Sequence, residues 1–337
     1  MSRSRSGLTV LDLCTGAGGE AVGLEAAGFD CAAAVEIDAA ACNTLRDNRR
    51  KWKVLEVDVR EINGRDFRGV DLVAAGVPCP PFSIAGKQLG HEDERDLFPE
   101  AIRIITAARP AAVLLENVRG FAASKFDDYR ARLKRDLERL GYGVDYRVLN
   151  ASDYGVPQLR PRFVLVAVRR TSFARFEWPE AQDNTPTVGD TIGHLMAAGG
   201  WPGADRWRAG AQSIAPTLVG GSKKHGGPDL GPTRARREWK ILGVDGLGLA
   251  DEPPAASFPV DGLPRLTVSM AALIQGFPLD WRFAGRKTAA YRQVGNAFPP
   301  PVAQAVGEAI AVALAGSGSR SWPGCRRMFG WSRSGRA

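Results

Sequence analysis

Histidine and cysteine are scarce in this 337-residue chain, and their scarcity excludes several chemistries. The three histidines, His91, His194 and His225, stand far apart, so a histidine-ligated metal is not expected. The five cysteines, Cys14, Cys31, Cys42, Cys79 and Cys325, are odd in number, irregularly spaced and without a C-x-x-C pair. That usage fits a reducing compartment, here the cytoplasm, and argues against a disulfide framework or a structural zinc site. No apolar run approaches the length of a membrane span and no secretory signal precedes the first strand, so no membrane partner is expected. Acidic residues are missing after Gly316, where Arg320, Arg326, Arg327, Arg333 and Arg336 lie. With Arg3 and Arg5 these carry seven of the eight excess positive charges and leave the body near neutral. Basic ends favour non-specific contact with nucleic acid, but they are also common as solvated tails. The Gly/Ser/Arg composition over 316–337 predicts a disordered tail.

Strand and helix patterns alternate through the first half. Leu8-Thr9-Val10-Leu11-Asp12-Leu13 reads as a buried strand, followed by the glycine turn Gly16-Ala17-Gly18-Gly19-Glu20 and a helix closed by Gly28. Strand, glycine turn and helix bring backbone N–H groups close to a ligand. Further strands are expected at 31–36, 53–57, 71–75, 111–115, 143–149 and 163–168. Phe126, Tyr129, Leu133, Leu137 and Leu140 form a helical stripe, with the Arg and Lys residues between them read as a solvated face. The expected fold is α/β: a Rossmann-like sheet, mostly parallel with its last strand antiparallel, and helices on both faces. In such sheets ligands bind beyond the carboxyl ends of the strands. Asp12, Glu36, Asp58, Cys79 and Glu116 each fall just after a separate strand, so five loops converge on one rim.

The sharpest local feature is Gly76-Val77-Pro78-Cys79-Pro80-Pro81-Phe82-Ser83. Prolines fix φ and remove backbone donors, so this stretch forms a stiff loop holding one thiol at a strand end. A thiol held in that way suits a nucleophile, although a lone cysteine also serves as a small buried hydrophobe. Residues 84–95 are polar with two glycines and read as a mobile loop. Over 171–264 glycine, proline and tryptophan become frequent and helix periodicity is lost, so short strands in a smaller, irregular unit are expected.

Six stretches, in order, resemble the cytosine-5 DNA methyltransferases. They are 12–19, the Pro78-Cys79-Pro80-Pro81-Phe82-Ser83 core, Glu116-Asn117-Val118, Gln158-x-Arg160-x-Arg162, the pair formed by Leu266-Thr267 and Gln275-Gly276-Phe277-Pro278, and Gly295-Asn296-Ala297 with Pro299-Pro300-Pro301-Val302. The resemblance implies a catalytic domain over 1–170, a target-recognition domain over 171–284 and a returning segment over 285–315. It makes Cys79 the nucleophile that adds to carbon 6 of cytosine, turning carbon 5 into an enamine carbon that attacks an electrophilic methyl. Glu116 becomes the acid at ring N3, Arg162 a source of positive potential beside the base, and Arg160 a holder of a phosphate or of the closed loop. S-adenosyl-L-methionine becomes the cofactor, held by Asp12, Gly16, Gly18, Gly19, Glu36, Asp58, Pro78, Asn296 and Ala297. Double-stranded DNA becomes the partner, with the target base flipped out of the stack. Ser83, Gln158, Thr217, Lys223, Lys224, Arg234, Arg236 and Arg237 are then expected at the DNA. A cognate restriction endonuclease is the implied functional partner. Cys14, Met270 and Phe298 depart from the family pattern, which favours Phe, Glu and Val there.

Three rivals share parts of this pattern: an RNA (tRNA) cytosine-5 methyltransferase, a catalytically silent DNA-binding protein, and a nicotinamide-dependent dehydrogenase suggested by the glycine turn with its downstream acid. Titration calorimetry separates the last. Heat of binding is expected with S-adenosylmethionine and none with NAD; the reverse result would reassign the glycine turn.

Overall fold

A computed structural model describes residues 7–78, 96–220 and 229–315. The strands are β1 (Leu8–Leu13), β2 (Phe29–Glu36), β3 (Val54–Glu56), β4 (Leu72–Gly76), β5 (Ala112–Val118), β6 (Tyr142–Asn150) and β7 (Pro161–Arg169). They form one sheet in the order β3-β2-β1-β4-β5-β7-β6. Neighbours from β3 to β5 run parallel, whereas β7 is antiparallel to both β5 and β6. The α/β fold expected from the sequence is thus present. The antiparallel strand matters for function. The parallel strands end at one rim, and β7 begins at that same rim, pairing Arg162 with Val118.

Helices cover both faces: α1 (Gly19–Ala26), α2 (Ala39–Asn48), α3 (Phe98–Ala108), α4 (Asp127–Arg139), the short α5 (Arg170–Phe173) and α11 (Pro300–Ala315). Because strand side chains alternate, β4 sends Val73 and Ala75 to one core with α3 and α4, and Leu72 and Ala74 to the other with α1 and α11. Each large apolar side chain removed from water in these layers contributes about 1.5–3 kcal/mol. Asp38 caps α2, its Oδ1 accepting from Ala40 N and Ala41 N at 3.0 and 3.1 Å. Pro300 and Pro301 open α11, where missing N–H groups cost no helical hydrogen bond.

Three expectations change. Over the described part of 171–264 there are no named strands; α6 (Val188–Met196), α7 (Ala204–Gly210) and α8 (Thr233–Ile241) occupy it instead. Val188, Ile192 and Met196 are spaced four apart and enter a third core with Trp207 and Trp239. Single aromatic anchors on short helices leave little periodicity to read. The same core takes in α9 (Val268–Ile274) and α10 (Lys287–Asn296), together with Leu45 of α2. Secondly, Arg130 on the supposedly solvated face of α4 is 6% exposed. It donates to the carbonyls of Phe121 and Ala123 and pairs with Asp127, capping the turns before its own helix. Thirdly, the stretch Lys287–Ala315, 29 residues, holds an 18-residue window of mean hydropathy 1.2, which passes for a membrane span by length and composition alone. It is interrupted between Asn296 and Pro300, and α11 packs on α1 in the core.

That contact is close because α1 carries Gly23. A Cβ there would lie 2.2 Å from the Pro300 carbonyl oxygen and 2.6 Å from Ala303 Cβ. Gly23→Ala is expected to lower stability by about 1–3 kcal/mol, despite alanine's better helix propensity. A reduced denaturant midpoint at unchanged slope checks this.

Candidate active site

A cavity of about 950 Å³ opens at the rim where β1, β2, β4 and β5 end. Its wall includes Gly16, Glu36, Asp58, Pro78, Glu116, Arg162, Thr217, Asn296 and Ala297, nine of the residues expected from sequence. The fold gathers them from separate elements. Gly16 adopts φ +57°, with nothing within 4 Å of where a Cβ would stand. Glu36 ends β2 and locks this turn. Its Oε2 accepts from Gly16 N at 2.8 Å, and its Oε1 accepts from Ile37 N and Asp38 N at 2.9 and 2.8 Å. With one bond, Oε2 retains acceptor capacity, whereas the two bonds to Oε1 fill its lone-pair sites. Asp58 caps the turn Val59–Glu61, accepting from Arg60 N at 2.9 Å.

At the far side Glu116 and Arg162 meet across the β5–β7 pair. Arg162 Nε lies 2.8 Å from Glu116 Oε1, with side chains 10% and 11% exposed. Burial raises the Glu116 pKa above the usual carboxylate value, and the cations of Arg162 and Arg160 oppose that shift. Burial lowers that of Arg162, against the pull of Glu116. Asn117 Nδ2 donates to the Val77 carbonyl at 3.0 Å, tying β5 to the chain that leads into Pro78. Cys79, Ser83, Lys223 and Lys224 lie outside the described residues.

Several expected residues do not reach the cavity. Asp12 sits within β1, paired across to Ala34 and Ala74, and is fully buried beneath the rim. Gly18 and Gly19 face protein: a Cβ on Gly18 would press on Leu45 and Trp281, and one on Gly19 would lie 2.2 Å from the Phe298 carbonyl oxygen. Gln158, expected at the DNA, is fully buried; its Oε1 accepts from Leu218 N at 2.9 Å and its Nε2 donates to Gln275 Oε1 at 2.8 Å. Arg160, expected at a phosphate or a loop, is also fully buried. It donates to the carbonyls of Leu218 and Gly295 at 2.7 Å each and of Ala297 at 3.0 Å. Both side chains were right in type for hydrogen bonding, but the donors and acceptors they meet are internal. Arg234, Arg236 and Arg237 stand apart on α8, where fully buried Trp239 anchors the helix.

One cavity residue was passed over in the sequence reading. Glu20, the second residue of α1, lines the cavity yet is 4% exposed. Among the described residues neither of its carboxyl oxygens has a hydrogen-bond partner, and the same holds for Asp12. The available signal was an acid at the start of an otherwise apolar helix.

Among solved structures, a triple mutant of Spodoptera frugiperda DNMT2 aligns at TM-score 0.62 and 18% identity, covering 91% of this chain and 99% of that one. Entamoeba histolytica methyltransferase EhMeth aligns at 0.64 and 15%, covering 91% and 98%. The fold is that of this methyltransferase class. The sequence model of the C-5 cytosine-specific DNA methylases matches residues 8–312, and the chain belongs to that family. It is 53% identical over 311 residues to Type II methyltransferase M.NaeI of Lentzea aerocolonigenes, covering 91% of this chain and 75% of the relative. It is 50% identical over 310 residues to M.NgoMIV of Neisseria gonorrhoeae, covering 91% and 98%.

Removing the Arg160 fork would strand buried carbonyls. Arg160→Lys, which keeps charge but not the fork, is expected to cost about 3 kcal/mol, read from the urea midpoint.

Proposed function

We propose that this DNA cytosine-5 methyltransferase modifies one cytosine within a short duplex site, with S-adenosyl-L-methionine as methyl donor and Cys79 as nucleophile. The observation that carries the reading is the buried Glu116–Arg162 pair on the wall of a cavity that Pro78 also lines, one residue before Cys79 in sequence. The residues present suit this donor. Its ammonium and sulfonium groups are cationic, and the buried carboxyls of Asp12 and Glu20, without a hydrogen-bond partner among the described residues, lie at or beneath one end of the cavity. Gly16 leaves open space for close approach, Glu36 and Asp58 offer acceptors for a ribose and an adenine, and Asn296 and Ala297 close the wall. When bound, the donor supplies an electrophilic methyl group.

The chain's own residues do the rest. The Cys79 thiolate adds to carbon 6 of the flipped base, and the charge that develops at N3 is met by the proton of Glu116. Such acid–base assistance typically contributes about 10²–10⁴-fold. Arg162 holds the Glu116 carboxyl in place and keeps positive potential beside the ring. Once carbon 5 has bonded the methyl group, its proton passes to solvent water, the N3 proton returns to Glu116, and release of the thiolate restores the aromatic base.

Residues 1–170 form the catalytic domain in this reading, 171–284 recognise the target and 285–315 return to close the pocket, with 316–337 as a basic tail. On α8, Arg234, Arg236, Arg237 and Lys240 outnumber the single acid Glu238, which suits backbone phosphates. Thr217 lies on the cavity wall, at the edge of the proposed recognition region. Lys223, Lys224 and Ser83, outside the described residues, are assigned to DNA contact by the resemblance of their motifs alone. The Type II names of the relatives support a modification role opposite a cognate endonuclease, acting on DNA in the cytoplasm.

Duplex DNA carrying 5-fluorocytosine at the target blocks the final proton loss and traps the adduct. Wild type with S-adenosylmethionine is expected to give a denaturation-resistant complex, and Cys79→Ala none. No complex with wild type, at a site located by bisulfite sequencing, would overturn the mechanism.

A further inference from the structure

The turn that carries Asp58 is held from behind the cavity wall. Asp58 opens the short helical turn Val59–Glu61, and its Oδ1 and Oδ2 accept from Arg60 N and Arg60 Nη1, each at 2.9 Å. With one bond each, both oxygens keep acceptor capacity toward the cavity. Glu61 closes the start of the turn, its Oε1 accepting from Asp58 N at 3.3 Å. A turn this short leaves carbonyls at its end without internal donors.

Arg103, on the second turn of α3, takes them up. Its Nη2 donates to the Arg60 carbonyl at 3.1 Å, and its Nη1 to the Ile62 carbonyl at 2.9 Å. Nη2 also reaches the Val59 carbonyl at 3.4 Å. Its Nε donates to Glu100 Oε2 at 2.6 Å, one turn earlier on α3. Close packing fixes this reach. At Gly64, just past the turn, a Cβ would lie 2.6 Å from the Ile104 carbonyl oxygen of α3 and 3.0 Å from Ala107 Cβ. Arg60 is therefore gripped at three points: its N–H and guanidinium by Asp58, its carbonyl by Arg103. Asp58, Val59 and Arg60 line the cavity, and Arg103 stands behind them. A half-exposed ion pair such as Arg103 with Glu100 contributes little by itself. The planar fork, which spans two separate carbonyls, is what a lysine could not reproduce.

We propose that Arg103 is a positioning residue that sets the selectivity of the donor site for adenine. Through Arg60 it fixes the direction of the Asp58 carboxylate. A fixed carboxylate accepts from a ring amino group and repels a ring carbonyl oxygen, whereas one free to swing away discriminates weakly. The inference rests on the assignment of Asp58 to the adenine of the donor.

Calorimetry with S-adenosylhomocysteine and with S-inosylhomocysteine, in which a carbonyl oxygen replaces the amino group, reads this without DNA or turnover. Wild type is expected to prefer the adenine form by about tenfold or more. Arg103→Met, which keeps the stem but no donor, is expected to bind S-adenosylhomocysteine about tenfold more weakly. Its preference between the two ligands falls to about threefold or less. Arg103→Lys falls between the two and carries the test if the methionine variant does not fold. Glu100→Gln, which leaves the fork in place, keeps the wild-type preference; a preference as low as that of Arg103→Met would overturn the role of the fork. In turnover, KM for the donor rises in Arg103→Met while kcat at saturating donor and KM for DNA hold, a split that a general loss of stability does not give. Folded Arg103 variants with wild-type affinity and preference would overturn the inference and leave Asp58 at the adenine. A wild type that binds both ligands equally would overturn the Asp58 assignment and the inference with it.

Discussion

One guanidinium joins the parts of this protein that sequence distance keeps apart. Arg160 lies between β6 and β7 and binds carbonyls at 218, 295 and 297. Gln158 adds the Leu218 amide and Gln275, and Gln275 donates in turn to the Ala297 carbonyl at 2.6 Å. Four chain segments meet at this buried node: the β6–β7 link, the strand-like stretch at 215–218, the end of α9 and the end of α10. A charged group taken out of water needs hydrogen-bond partners, and the two terminal nitrogens of Arg160 have them, whereas its buried Nε has none among the described residues. Pocket residues Leu218, Gly295 and Ala297 belong to it directly.

The cavity takes its electrostatic character from the same economy of cations. The sheet delivers acids from β2 and β5 to one rim, because parallel strands all end there, and leaves Asp12 of β1 buried just beneath it. The antiparallel β7 brings Arg162 in from the opposite chain direction, so the pairing of Glu116 with an arginine follows from topology. Glu36 is neutralised differently, by three backbone N–H groups. Among the described residues Asp12 and Glu20 have neither arrangement, and burial raises the pKa of both.

The strands, the glycine turn and the rim location were readable because each depends on local signals: apolar runs, glycine placement and acids at strand ends. Nine of the expected residues do line the cavity. The helices α6, α7 and α8 were not readable, since each is anchored by a few residues whose burial depends on distant partners. Trp239 is fixed by contacts that nothing near it in the sequence announces. Arg130, Gln158 and Arg160 misled for a related reason. A polar side chain looks the same in sequence whether its hydrogen bonds go to water, DNA or the protein's own carbonyls.

The amino-acid sequence by itself determined the chemistry available: an ordered set of motifs with a proline-flanked thiol, a Glu-Asn pair, spaced arginines and a glycine turn. Only the tertiary structure decided which of these polar groups face the cavity and which brace it, because burial and hydrogen-bond partners arise from contacts between segments more than a hundred residues apart, such as Arg160 with Gly295 and Ala297.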